Sequence, residues 1–334
     1  MAQGSPRLVV LGSNSFSGAS FAAHALGRGA EVIGVSRSAE PNTVFLPYRW
    51  GRGLDRFRFH ALDINNDLDA IIDLTVAEKP DYFVNFAAQS MVGESWDRPE
   101  DWFRTNAVST VMLHNRLRKE CGFLKKFVHV TTPEVYGSTQ GFIDENTPFN
   151  PSTPYAASRA AGDMSLKTFV DAYGFPAVST RAANVYGPGQ QLYRIIPRTI
   201  LFIRIGRKLQ LQGGGLSERS FIHIDDVSDA TWRVMEDGPA GEAYHISTNE
   251  IVTIRGLVER ICALMKVSFD EVVEVVGDRL GKDSAYKLDS TKIRNSLGWT
   301  DRIGLDEGLG QCIDWVDRNL DVLRTQKLNY IHKP

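Results

Sequence analysis

Along the first half of the chain, short runs of apolar and β-branched residues alternate with longer stretches whose apolar positions recur at helical spacing. Arg7–Leu11 (RLVVL), Glu31–Ser36 (EVIGVS) and residues 56–62, 82–87, 126–131 and 177–181 read as strands. Residues 17–28, 67–78, 102–120 and 155–173 read as the helices between them. Alternation at this spacing demands right-handed βαβ crossovers and a parallel sheet with both faces covered. The pattern therefore predicts an α/β protein with a doubly wound parallel sheet.

After about residue 184 the rhythm breaks. Gly and Pro punctuate more often (YGPGQ, LQGGGL) and arginine becomes frequent. The expected division is a dinucleotide-binding domain over 1–183, joined by segments near 221–247, and a smaller α/β cap over 184–220 and 248–325. Residues 221–223 and 244–246 are expected to return to the main sheet. Residues 326–334 carry no periodicity and read as a loose tail.

With 334 residues, 43% of them apolar and 23% charged, the chain can bury a large core without disulfide or metal staples. Lys plus Arg number 38 against 40 acids, a net charge of −2, so no basic excess points to nucleic acid or an anionic membrane. Cys121, Cys262 and Cys312 lie far apart, in neither metal-ligand nor CxxC spacing, and read as reduced thiols. The opening residues do not read as a signal peptide, and no apolar run approaches the roughly 20 residues of a membrane span. A cytoplasmic protein without a bound metal is the expectation.

The first chemical signal is the turn Gly12-Ser-Asn-Ser-Phe-Ser-Gly18, between the first strand and the first helix. Free backbone N–H groups at the positive end of a helix dipole suit a dinucleotide pyrophosphate there. Gly12 allows the tight turn, and Gly18 lets the helix approach the sheet. Ser15 occupies the place of the middle glycine in a GxxGxxG pattern. A glycine-rich turn with no ligand is the bland alternative. The second strand ends Ser36-Arg37 with no acid to accept from a ribose 2′-hydroxyl, and Arg37 suits a 2′-phosphate, a slight lean to NADP over NAD. Asp63, before Ile64, reads either as a partner of the adenine amine or as a cap for the helix that follows.

Three further groups sit at the C-terminal ends of predicted strands, where open α/β sheets bind ligands. They are Asn85-Phe-Ala-Ala-Gln89-Ser90, Thr131-Thr132-Pro133-Glu134, and Tyr155-Ala-Ala-Ser-Arg159 opening a helix. Tyr155 and Arg159 are four residues apart and share a helix face. Lowering a phenol from a pKa of about 10 to about 7 takes roughly 4 kcal/mol of differential stabilisation, which a guanidinium and an oxidised nicotinamide can supply in a dry pocket. Taken alone, such a pair is more often surface packing; its place after the Thr132/Glu134 strand reverses that.

The segments GSNSFSG, VNFAAQSMV, VTTPEVYG, DENTPFNPSTPYAASRAAGD, RAANVYGPGQ, RIIP, LQLQGGGLSERSFIHIDDV, YHISTNE and YKLDSTKIRNSLGW together resemble an extended short-chain dehydrogenase/reductase. Within that superfamily the chain looks most like the nucleotide-sugar 4,6-dehydratases that act on dTDP-glucose or GDP-mannose. The resemblance implies a Rossmann-type sheet and tightly bound NAD or NADP. It places cofactor contacts at Gly12, Asn14, Ser15, Phe16, Gly18, Ser36, Arg37, Asp63, Ile64, Phe86, Ala87, Ala88, Tyr155 and Arg159. It implies that Tyr155 takes the sugar 4-hydroxyl proton as C4 gives hydride to the nicotinamide. Thr132 would hold the same oxygen. Glu134 would remove the C5 proton, water would leave from C6, and the hydride would return to C6. For the nucleotide sugar it implies Ser90, Asn184, Arg194, Ile195, Gln210, Gln212, Arg219, Asn249, Arg279 and Lys282. Arg219 and Arg279 suit a diphosphate as bidentate donors. It also implies a homodimer through a four-helix bundle formed by the helices at 102–120 and 155–173.

Three positions depart from the family's pattern. Arg159 replaces the lysine of YxxxK, Pro133 replaces an Asp that many dTDP-glucose dehydratases place before the glutamate, and Ser15 replaces a glycine. Glu134 would then serve both as base at C5 and as acid toward the leaving oxygen. Two alternatives keep the fold: C4 epimerisation, or decarboxylation of a nucleotide hexuronate. A third is a non-catalytic dinucleotide-binding protein.

Overall fold

A computed structural model describes residues 5–277 and 286–333. Its strands are β1 Arg7–Leu11, β2 Glu31–Ser36, β3 Phe57–Ala61, β4 Tyr82–Asn85, β5 Lys126–Val130, β6 Phe142–Ile143, β7 Ala177–Ala182, β8 Asn184–Tyr186, β9 Leu209–Gln212, β10 Glu218–Arg219, β11 Phe221–His223, β12 Ala243–Ile246, β13 Val252–Thr253, β14 Val273–Val276 and β15 Lys287–Leu288. Helices α1 Phe16–Gly27, α2 Leu68–Glu78, α3 Pro99–Phe103, α4 Thr110–Glu120, α5 Pro154–Tyr173, α6 Ile195–Arg204 and α7 Ile224–Asp237 are the ones that bear on the site.

Seven strands form one parallel sheet in the order β12-β7-β5-β4-β1-β2-β3. The order reverses beside β1, the switch point at which such sheets bind ligands. Strand β1 is apolar from Leu8 to Leu11 because both its faces are covered. Leu8 and Val10 pack with residues of α1 and α7 such as Phe21, Ala22 and Val234. Val9 and Leu11 pack on the other face with Ile71, Ile72, Leu113, Leu117 and Leu166 from α2, α4 and α5. The register aligns Leu11 with Val35 and with Asn85, and Asn85 with His129. The residues after β1, β2, β4 and β5 therefore emerge along one edge.

Strand β4 stops two residues before the expected end, because the Asn85 side chain accepts from the Ala87 N–H at 2.9 Å and turns the chain. The helix expected over 102–120 begins at Pro99 and contains a π-helical turn, Arg104–Ser109, between α3 and α4. A Cβ at Gly162 on α5 would stand 2.7 Å from the Asn106 carbonyl, so the turn and α5 meet backbone to backbone.

Of the two segments expected to rejoin the main sheet, Tyr244–Ile246 does, within β12 beside β7. Phe221–His223 does not: as β11 it pairs with β8, which has already left the main sheet, in a separate two-stranded sheet. Strands β9 with β14 and β10 with β13 make further two-stranded pairs. Helix α6 and the helices Ile254–Leu264 and Leu305–Arg318 close a second core around Ile196, Ile200, Leu257, Ile261 and Leu309. The described part of the expected tail is not loose. Residues 328–333 run from α6 to the ends of β2 and β4, held by side-chain contacts at most positions. No helix among the described residues is long and apolar enough to cross a membrane.

Candidate active site

The turn after β1 is built as its glycines require. Gly12 has φ of +87°, and a Cβ there would stand 2.7 Å from the Ala87 nitrogen. A Cβ at Gly18 would collide with the Gly12 carbonyl. Ser15 is the N-cap of α1. Its hydroxyl donates to the Gly12 carbonyl at 2.7 Å and accepts from the Gly18 N–H at 3.1 Å. Serine in place of glycine thus braces the turn and takes up one amide at the helix start. Helix geometry leaves the Phe16 and Ser17 amides without an intrahelical acceptor, at the positive end of α1. The chain therefore fits a pyrophosphate at this turn.

Asn14 spends its backbone N–H on the Ser36 hydroxyl at 2.9 Å and its amide on the Ser38 carbonyl at 3.0 Å. That ties the turn to the end of β2, where Arg37 is exposed. Asp63 does not cap the following helix; the N-cap of α2 is Asp67. Asp63 accepts instead from the Asn65 N–H at 3.0 Å and the Asn66 amide at 2.8 Å, which shapes the loop around buried Ile64. Phe86, Ala87 and Ala88 follow β4 half-buried, and Ser90 beyond them is exposed.

After β5, Thr132 is the N-cap of a short helical turn, accepting from the Glu134 N–H at 3.2 Å. Pro133 takes the first helical position, where its missing N–H costs nothing. The residue that replaces an acid is therefore a rigid element of the turn that carries Glu134. On α5, Thr153 caps the helix, so that Tyr155 and Arg159 point from its first turns. Tyr155, Thr132 and Arg159 are 8%, 7% and 4% exposed. The Arg159 guanidinium donates to the Val130 carbonyl at the end of β5.

Burial raises the Tyr155 phenol above its ordinary pKa, and the Glu134 charge adds to that; the Arg159 charge, hydrogen bonding with Thr132 and the Arg194 charge pull it back. Thr132 therefore meets the Tyr155 hydroxyl directly, while the charges of Glu134, Arg159 and Arg194 act on it from three separate segments. Burial wins, so the Arg159 and Arg194 charges together do not bring the phenol's pKa down toward neutral pH, and lowering it takes a further positive charge beside the ring.

Several residues that hold this arrangement give no sequence signal of their own. Asn106, in the π-helical turn, accepts from the Gln89 N–H and donates to the Gln89 carbonyl, both at 2.9 Å, and donates to Ser158 at 3.0 Å. Ser158 in turn donates to the Tyr155 carbonyl at 2.7 Å, and Ser95 accepts from the Tyr155 N–H at 3.2 Å. Asp163, one turn beyond Arg159, meets Arg181 of β7 at 2.9 Å and His129 of β5 at 3.2 Å. The Arg181 charge holds its carboxyl well below the usual range against the burial that opposes it.

The cap residues are placed differently. Arg194 and Ile195 open α6, with Arg194 exposed over Tyr193 and close enough to act on Tyr155. Asn184, half-buried on β8, donates to the Ser220 carbonyl at 3.3 Å. Gln210 and Gln212 are the exposed positions of β9, alternating with buried Leu209 and Leu211. Arg219 is half-buried on β10, and Asn249 is exposed after β12. Arg279 and Lys282 lie outside the described residues.

A profile of the family described as GDP-mannose 4,6 dehydratase matches residues 9–312. The chain is 31% identical to a Sinorhizobium fredii protein named probable dTDP-glucose 4,6-dehydratase, over 94% of this chain and 93% of that one. It matches the crystal structure of a double mutant of dTDP-glucose 4,6-dehydratase from Streptomyces venezuelae, solved with NAD bound, at a TM-score of 0.86 and 30% identity over 95% of this chain and 99% of that one. A UDP-glucose 4-epimerase from Thermotoga maritima, solved with UDP-glucose, matches at a TM-score of 0.85 and 25% identity, over 94% and 99% of the two chains. Backbone alone therefore does not separate dehydration from epimerisation; the side chains of the site must.

Proposed function

The chain belongs to the GDP-mannose 4,6 dehydratase family, and from that premise we propose that it is a nucleotide-sugar 4,6-dehydratase whose product is a 4-keto-6-deoxy sugar. What supports this reading is a buried phenol, Tyr155, that hydrogen bonds with buried Thr132 and feels the charge of half-buried Glu134 two residues further on.

Gly12, Asn14, Ser15, Phe16 and Gly18 would hold the pyrophosphate of NAD or NADP, with Asp63 and Ile64 at the adenine, Phe86–Ala88 along the ribose, and Arg159 on the ribose diol. Ser36 and Arg37 would stand at the adenosine ribose, and the Arg37 charge supports a preference for a 2′-phosphate. When bound, the dinucleotide would supply the hydride acceptor for C4 of the hexose and the hydride donor for C6. Tyr155 removes the 4-hydroxyl proton, with Thr132 holding the same oxygen. Glu134 then takes the C5 proton, acidic beside the new ketone, and passes it to the departing C6 oxygen, so that water leaves and no second acid is needed. The proton that Tyr155 removes balances the one that C5 takes back. Ser90, Asn184, Arg194, Ile195, Gln210, Gln212, Arg219 and Asn249 would hold the nucleotide diphosphate.

Exposed Phe103, Val108 and Met112 on the α3–α4 segment and Met164 on α5 support a homodimer through these helices. Sedimentation of wild type against Met112→Arg tests it, a monomeric wild type being the failure. Three buried free thiols fit a cytoplasmic location, which fractionation of source cells checks.

The reading is tested by incubating the protein with dTDP-glucose, GDP-mannose and UDP-glucose. Release of a 4-keto-6-deoxy product from one of them, reduced at least a hundredfold by Glu134→Gln, is expected. Equal yield from Glu134→Gln, or an epimer in place of the ketone, would overturn it.

A further inference from the structure

Residues 328–333 cross from the cap to the dinucleotide domain, and every anchor along the way is specific. On the cap side, the Arg198 guanidinium of α6 donates to the Leu328 carbonyl at 2.6 Å and to the Asn329 side chain at 2.8 Å. Tyr330 packs edge-on to Tyr193, ring centroids 5.6 Å apart. On the far side His332 lies flat on the fully buried Trp102, centroids 4.9 Å apart and planes within 9°, and its Nε2 meets the Asp101 carboxylate at 2.7 Å. The Lys333 carbonyl accepts from the Gln89 amide at 2.6 Å and from the Arg37 guanidinium at 2.9 Å. The Lys333 ammonium donates to the Ser38 hydroxyl at 3.1 Å.

Sheet order gives these contacts their meaning. Gln89 follows β4 and Arg37 follows β2, and β1 runs between those strands. A single carbonyl that reaches both spans the Gly12–Gly18 turn. Its own ammonium then stands at the end of β2, adding a second cation beside Arg37.

We propose that residues 330–333 are a wall of the dinucleotide site, closing over the pyrophosphate turn to retain the bound dinucleotide, with Lys333 joining Arg37 at the ribose 2′ position. This rests on the dinucleotide reading above and extends it to a segment whose sequence shows no motif.

The test uses the full chain and follows dinucleotide fluorescence. Release rates and Kd of NADH and NADPH are measured for wild type, His332→Ala, Asp101→Asn and Lys333→Ala, with the thermal midpoint checking that each variant folds. His332→Ala and Asp101→Asn, which unpin the segment from opposite sides of one contact, are expected to speed release of both dinucleotides about tenfold. Lys333→Ala is expected to weaken NADPH about tenfold and NADH less than twofold. Wild-type release rates in both unpinning variants would overturn the proposal, and so would tighter binding, which would make the segment a competitor. A wild type that binds neither dinucleotide is a different result, and sinks the functional reading itself.

Discussion

The candidate residues of the dinucleotide domain and those of the cap are held in opposite ways. Thr132, Tyr155 and Arg159 are buried, and their neighbours are committed one to another through Asn106, Ser158, Ser95 and Asp163. Gln210, Gln212, Arg194 and Asn249 are exposed, on strands of four residues or fewer or in the loops beside them. Proton transfer loses rate when a group shifts by an ångström, so the chemistry sits where packing fixes the rotamers. Recognition of a flexible nucleotide diphosphate tolerates long, solvated side chains that order on binding.

Removing the central group should break the comparison most sharply. Tyr155→Phe is expected to lower kcat about 10³-fold, with KM and the thermal midpoint nearly unchanged, in a ketone-formation assay. A loss confined to KM would place Tyr155 among recognition residues instead.

The supporting network should register as stability. Asn106→Ala removes both bonds to Gln89 and the one to Ser158, and should cost about 2–4 kcal/mol in urea unfolding. A cost near zero would mean that the rigidity comes from apolar packing alone.

The buried polar groups also predict a pH dependence. Burial, with the nearby Arg181 charge, holds His245 down to about 4 in the folded protein. Its Nδ1–H donates to the Asp289 carbonyl at 3.2 Å and its Nε2 accepts from the Tyr136 hydroxyl at 2.8 Å, a pattern that only the neutral ring allows. The unfolded chain takes up this proton near pH 6.5 and the folded one does not, so stability should fall by about 3 kcal/mol as pH drops from 6.5 to 4. His245→Gln should flatten that slope in denaturation series at the two pH values; an unchanged slope would remove His245 as its source.

The smallest effect should come from the cap. Arg219→Ala is expected to raise KM for the nucleotide sugar about tenfold while kcat stays within twofold. A matching fall in kcat would place Arg219 with the rigid groups and erase the contrast.

Strand–helix alternation was enough to show a parallel sheet, and glycine spacing and the Tyr155/Arg159 pair were enough to single out the turn and the helix that carry the candidate site. Both are local: a period of two or 3.6 residues, or a backbone that only glycine permits, is written in adjacent positions. The pattern also placed Glu134 and Thr132 at a strand end, so that sheet geometry did the rest. What it did not contain was the use of Pro133 and Ser15 as bracing elements, since a cap is defined by which N–H a hydroxyl reaches. It did not contain Asn106, whose partners are 17 and 52 residues away. Least of all did it contain the path of residues 328–333. Lys333 meets Gln89, Arg37 and Ser38 across 244, 296 and 295 residues. Contacts of that span arise only once two domains have folded and brought their edges together, so tertiary structure alone decides what closes over the site.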